Sequence, residues 1–361
     1  MRTIKTRHFT GTTDNTVTKR ELDNRKVARR AAAEGMVLLK NEGILPLKEG
    51  TKIALYGVGA SRTIKGGTGS GDVNERETVS IYQGMKNAGF EITTEDWIKD
   101  FDEKYQAARY AWRDEIENEA AKLEDQVSGF FNVYSTTPFR MPAGAPVTQT
   151  DADVAIYILS RIAGEGADRF DEAGDYYLTE EEKKQLADIC SMYEHVIVAV
   201  NTGGLADLSF MDEYVNIEAL LQIVQPGMEA GNAFADIISG RVTPSGKMTD
   251  SWAVKYEDYP NSKTFSHNNG NVDKEYYTEG LYVGYRYFDS FDVPVRYGFG
   301  YGLSYTTFET KVLSTVLKDN KIVVETETIN TGDTYSGKEV VQLYATCPAG
   351  KLEKEYRRLV A

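Results

Sequence analysis

The sequence predicts an α/β fold, a mostly parallel sheet sandwiched between helices, followed by part of an all-β immunoglobulin-like sandwich. Apolar, β-branched runs at 52–57, 153–160 and 195–201 alternate with helical segments. Strands that read as continuous apolar runs are those buried on both faces of a parallel sheet. From Tyr256 the pattern turns irregular and rich in Tyr and Asn, and beyond Ser304 short strands separated by turn residues take over.

Taken in order, residues 23–41 read as a helix: Asp23 is its N-cap, the Ala-rich stretch 28–33 has high propensity, and Met36, Leu38 and Leu39 form an apolar end. Lys52–Gly57 is the first sheet strand and 79–88 the next helix. Residues 97–125 read as a long polar helical excursion on the surface. Asp153–Ser160 is a fully buried strand. Thr179 with Glu182 forms a capping box that opens a helix through Met192. His195–Asn201 is a third strand, 217–224 a strand or short helix, and 229–239 a helix. After the irregular stretch, 321–327 and 337–344 are strands on either side of an Asn330–Asp333 turn. The expected organisation is an N-terminal arm and helix packing on the sandwich (1–48), the α/β sandwich (49–255, with a helical insertion at 97–145), a connecting segment (256–304) and an incomplete β-domain (305–361).

Composition narrows the function. The chain has 361 residues, 41% hydrophobic and 27% charged, with a net charge of −14. Its pI is about 4.9. That balance argues against nucleic acid or an anionic membrane as a partner, because both need a basic face. No run approaches the ~18 apolar residues of a membrane span, and the basic amino terminus lacks the apolar core of a secretory signal, so a cytoplasmic protein is expected. Cys190 and Cys347 lie far apart in apolar stretches and read as buried free thiols. His8, His195 and His267 are isolated from one another, so no metal site is expected, and no cofactor either.

Chemistry concentrates in two loops. Arg161–Arg169 directly follows the buried strand 153–160 and carries Glu165 between Gly164 and Gly166, then Asp168 and Arg169. Ligands of open α/β sheets bind beyond the carboxyl ends of the strands. A carboxyl held between two glycines can be brought close to a ligand and donate a proton. The other reading of Glu165 is a solvated turn residue. Lys65–Asp72 follows the first strand and should sit beside that loop on the same rim, with four glycines. It offers Lys65, Thr68, Ser70 and Asp72 to a polyhydroxylated ligand; a merely flexible glycine loop is the alternative. Gly57–Arg62 fails the dinucleotide fingerprint, since Arg62 stands where Gly or Ala is required, and no Gly-Lys-Ser/Thr completes a phosphate loop.

Several longer motifs carry a resemblance. Ala32–Leu47, Gln225–Ile237, Pro244–Met248, Tyr282–Asp289 and Tyr297–Tyr305 occur in the order of, and are similar to, the second domain of glycoside hydrolase family 3. Residues from Thr306, with Asn330–Gly332 and Gly337–Tyr344, resemble that family's fibronectin type III-like domain. The match covers nearly all of residues 27–361, apart from about 97–145. The resemblance implies a retaining β-glucosidase: an aspartate on a (β/α)8 barrel attacks the anomeric carbon, and a glutamate acts as general acid, then base. The family's Glu-Gly-x-Asp-Arg motif falls on Glu165, Gly166, Ala167, Asp168 and Arg169, which makes Glu165 the acid/base. Asp168 and Arg169 would organise the loop and the substrate. No Ser-Asp-Trp nucleophile motif and no Lys-His dipeptide of the barrel occur in the chain. The expectation is the front part of a domain-permuted member, or a truncated form of it, with the barrel as a missing partner and a β-glucoside or short oligosaccharide as substrate. Such a chain would be inactive alone. The alternative is a non-catalytic carbohydrate-binding or assembly module that has lost its barrel. The unpaired strand edges of the partial β-domain would be prone to self-association, so a homo-oligomer is one reading and oligomeric state stays open. Glucosidase, xylosidase and mixed specificity remain open.

Overall fold

The computed structural model describes residues 15–361 except 72, 74, 138, 140, 143 and 165–169. Six strands form the central sheet: β1 (Val37–Asn41), β2 (Lys52–Tyr56), β3 (Glu91–Ile92), β4 (Val154–Arg161), β5 (Val196–Thr202) and β6 (Ile217–Gln222). Their spatial order is β1-β6-β5-β4-β2-β3. All neighbours are parallel except β1, which runs antiparallel to β6. Every residue of β4 and β5 is buried, as their apolar runs require.

The amino-terminal reading needs two corrections. Helix α1 spans Lys19–Gly35, and Thr18, not Asp23, caps it, in a capping box with Glu21. Residues 37–41, read as the helix's apolar end, are instead edge strand β1. The physical reason is burial. Met36, Val37, Leu38 and Leu39 are each at most 3% exposed, whereas α1 buries only Ala32 and Ala33. Successive buried side chains need a strand covered on both faces. Residues 19–41 therefore contribute a strand to the sheet as well as a helix.

Helices α2 (Ile81–Asn87) and α6 (Ala230–Ile238) pack on each other, and α1 packs on α6. Arg29 grips Asp236 through two hydrogen bonds of 2.5 and 2.6 Å, and Arg25 joins Glu229 at 2.6 Å. Helices α3 (Glu95–Ala120) and α5 (Glu180–Met192) meet the tyrosines of β2 and β4: Trp97 packs edge-on against Tyr56 at 5.4 Å, and Tyr157 bonds Gln185. The insertion is thus rooted in the core through Trp97, Ile98 and Phe101, and only its far part, with α4 (Gln126–Thr136), stands out as a surface excursion.

Past the sheet, β7 (Trp252–Ala253) and β8 (Val295–Tyr297) form a short antiparallel ribbon, with α7 (Tyr285–Phe291) between them in the chain. A long antiparallel hairpin follows, β9 (Phe308–Lys318) and β10 (Lys321–Asn330). Its two-residue turn, Asp319-Asn320, has positive φ at both positions, matching the twist of the strands. Of the strand read at 337–344, only Tyr344 is in regular pairing, in β11 (Tyr344–Ala345) with β12 (Arg358–Leu359). Side chains of the preceding residues turn to other partners, such as Glu339 to Lys247 at 3.1 Å. Cys190 is half-buried, and burial pushes its thiol up to about 12. Cys347 is exposed, contrary to expectation; both thiols are free. Among the described residues, no helix is long and apolar enough to cross a membrane.

Candidate active site

The strand order dictates where a site can form. From β2 the chain passes to β3 on one side, while from β4 it passes to β5 on the other. The connections diverge between β2 and β4, and the crevice outside the carboxyl ends of such a strand pair is where ligands bind in open α/β sheets. The loops after β2 and β4 are the two that the sequence singled out, and the structure brings them together. A Cβ on Gly67 would lie 2.1 Å from the Ala163 carbonyl oxygen, and one on Gly164 would lie 2.2 Å from the Thr68 nitrogen. Only glycine permits this backbone approach.

Three polar side chains hold the rim. Asn201, fully buried at the end of β5, uses its whole hydrogen-bonding capacity. Its Nδ2 donates to the carbonyls of Ile64 at 3.0 Å and Val224 at 2.7 Å. Its Oδ1 accepts from Ile64 N at 2.6 Å and Ser160 Oγ at 3.2 Å. The loops after β2 and β6 are thereby tied to one residue. Gln225 Nε2 donates to Ala163 O at 2.9 Å and joins the loop after β6 to that after β4. Arg161, last residue of β4 and 7% exposed, forms a paired bond with Glu182 at 2.7 and 2.6 Å. Its remaining donor bonds go to the carbonyls of Ser160, Asp175 and Tyr177 at 2.8, 2.9 and 3.2 Å. Sequence reasoning missed these three roles. The legible signal was a polar residue closing an apolar strand run, as Arg161 and Asn201 both do.

The expected site residues fall as follows. Glu165, Asp168 and Arg169, and also Asp72, lie outside the described residues. Lys65 is held within its own loop: its Nζ donates to both Glu75 carboxylate oxygens and to Val73 O, each at 2.6 Å. Burial opposes ionisation of Glu75, but hydrogen bonds from Lys65 and Thr78 outweigh it and keep the carboxyl below its ordinary range. Thr68 lies against Gly164, and its Oγ1 is buried with no hydrogen-bond partner among the described residues. Ser70 sits in a short turn, Gly69–Gly71, described at the backbone alone.

Beside this rim, where the loop resumes at Phe170, is a cleft of about 510 Å³. Phe170, Tyr256, Ser262, Asn268 and Lys263 line it together with the carboxylates of Asp171, Glu172 and Glu257. Tyr256 is buried and stacks edge-on with Tyr176 at 5.0 Å. Burial and a hydrogen bond to Asp171 push the Tyr177 phenol above its ordinary value. Among the described residues, no group of three or more His, Cys, Asp or Glu is arranged to hold a metal ion.

Comparison with known proteins places this architecture. The glycosyl hydrolase family 3 C-terminal domain model matches residues 36–285. The chain belongs to this family. Within family 3, β-glucosidase A of Butyrivibrio fibrisolvens is 36% identical over 90% of this chain and 42% of its own length. A β-glucosidase of Ruminococcus albus is 35% identical over 94% of this chain and 34% of its own length. Among solved structures, β-glucosidase 3B from Thermotoga neapolitana in complex with glucose superposes with a TM-score of 0.80 at 35% identity, covering 95% of this chain and 47% of that one. The family 3 chain described here thus spans less than half the length of these relatives.

Proposed function

We propose that this chain is the acid/base half of a retaining β-glucosidase, with the nucleophile on a barrel outside these residues. A relationship to glucosidases follows from family membership and from relatives named β-glucosidases. The observation that carries the finer reading is the meeting of the Lys65–Gly71 loop with Ala163 and Gly164 at the β2/β4 switch point, directly before Glu165. Glu165 would protonate the glycosidic oxygen as it leaves and then take a proton from the incoming water. The buried Thr68 hydroxyl, which has no hydrogen-bond partner among the described residues, would suit a sugar or loop oxygen. The cleft with Phe170 and Tyr256 fits the leaving-group side, where an aromatic face can cover a sugar or aryl ring. The hairpin of β9 and β10 is read as part of a fibronectin type III-like module.

The test uses a polypeptide that carries both this chain and a family 3 barrel. With Glu165→Ala, kcat/KM on a β-glucoside with a poor leaving group is expected to fall by roughly 10²- to 10⁴-fold, the usual worth of a positioned acid. On a dinitrophenyl β-glucoside, whose leaving group needs no proton, kcat/KM should be nearly unchanged while kcat falls, because the glycosyl-enzyme has lost its base; added azide should restore turnover and yield the β-glucosyl azide. Equal losses on both substrates, with no azide product, would assign the acid/base to another residue.

A further inference from the structure

We propose that Arg161 is a positioning residue for this acid–base chemistry: its guanidinium fixes the neck of the loop that carries Glu165. The inference rests on the reading of Glu165 given above. The loop leaves β4 at Arg161 and returns to α5 at Thr179. Both ends of that excursion meet on one side chain. The guanidinium holds the Ser160 carbonyl on the outgoing side, the Asp175 and Tyr177 carbonyls on the returning side, and Glu182 in the first turn of α5. All five N–H donors that an arginine possesses are accounted for. Glu182 is itself fixed, because its Oε2 accepts from Thr179 N at 2.9 Å and its own N–H donates to Thr179 Oγ1 at 3.1 Å. Within the returning arm, Asp175 accepts from Phe170 N at 2.8 Å, which carries the constraint to the first described residue after Arg169.

This is more than one buried ion pair among others. The Arg161 and Glu182 side chains are 6% and 13% exposed, so the pair is largely shielded from water and salt, and a bidentate fork fixes angle as well as distance. Lysine cannot replace it: an ammonium has three donors and no plane, so it could hold Glu182 only by releasing loop carbonyls. A carboxyl displaced by about 1 Å from its proton acceptor can cost roughly 10²-fold in rate. The loss should appear only where a proton must be delivered.

Leaving-group dependence therefore separates positioning from a merely structural role. In the barrel-containing enzyme, Arg161→Lys is expected to lower kcat/KM by roughly 30- to 100-fold on an alkyl or sugar β-glucoside and by no more than about 3-fold on the dinitrophenyl glucoside. Glu182→Gln removes one charge without changing shape and should act in the same direction; it carries the test should Arg161→Lys fail to fold. If Glu165→Ala shows leaving-group dependence and both neck variants lose rate equally on the two substrates, the positioning role is wrong and the acid/base reading stands. If Glu165→Ala shows no such dependence, the acid/base reading falls and this inference falls with it.

Discussion

At the residue scale, the chain's chemistry depends on polar atoms whose partners lie far away in sequence. Thr68 is the informative exception, since its Oγ1 is buried against Gly164 with no hydrogen-bond partner among the described residues. Burying an unsatisfied hydroxyl costs about 1–3 kcal/mol. Thr68→Val keeps the shape and removes the polar atom, so it should raise the unfolding free energy of this chain by about 1 kcal/mol, read from urea denaturation. A loss of that size would show instead that the hydroxyl has a partner. The sequence pointed to Thr68 because hydroxyls in a glycine loop at a strand's carboxyl end invite a ligand. It also pointed to Lys65, whose ammonium is bound to Glu75 ten residues on, a pairing that spacing in a loop does not reveal. Arg161 and Asn201 stayed illegible for a related reason. Most of their partners are backbone carbonyls that converge only after the sheet is assembled, and carbonyls leave no mark in a sequence.

At the scale of elements, the readable parts were those with a strong local pattern. The buried strands β4 and β5 and the capping box of α5 fell where their runs and caps required. Strand β1 did not, because an Ala-rich helix runs into an apolar stretch with no proline or strand-like alternation between them. What separates them is Gly35 and the burial of every side chain from Met36 to Leu39, a tertiary property. The start of α1 carries its own pH signature. The Thr18 backbone N–H, then Arg76, hold the Glu21 carboxyl down from 4.5 to about 2. A depressed carboxyl pKa contributes stability that is complete above the unfolded value and is lost as pH falls through the folded one. The capping box and its tie to Arg76 should therefore persist at pH 4 and release toward pH 2. Carboxyl NMR titration should find the Glu21 midpoint near 2, and Arg76→Ala should move it upward. A midpoint near 4.5 in the unaltered chain would mean that neither bond forms in solution.

At the scale of the whole molecule, strand order explains why the two loops meet. A sheet whose connections diverge at β2 and β4 leaves a crevice only there, and β2 and β4 are the strands that precede the glycine loop and the Glu165 loop. The sequence could place these loops on one rim because both follow parallel strands. It could not show their contact, which depends on glycine meeting backbone at Gly67 and Gly164. The β9–β10 hairpin ends in a part of the chain with many exposed apolar residues, among them Leu317 at 75% and Ile322 at 69% exposure, a surface that would be stabilised by cover.

The division of labour between this chain and a barrel is the central claim, and one assay reaches it directly: hydrolysis of an aryl β-glucoside by the 361-residue chain alone and by a polypeptide that joins it to a family 3 barrel. The expected result is no hydrolysis by the chain alone, and turnover in the joined protein that collapses for poor leaving groups with Glu165→Ala. Hydrolysis by the chain alone, abolished by Glu165→Ala, would contradict the claim by placing a nucleophile within these residues.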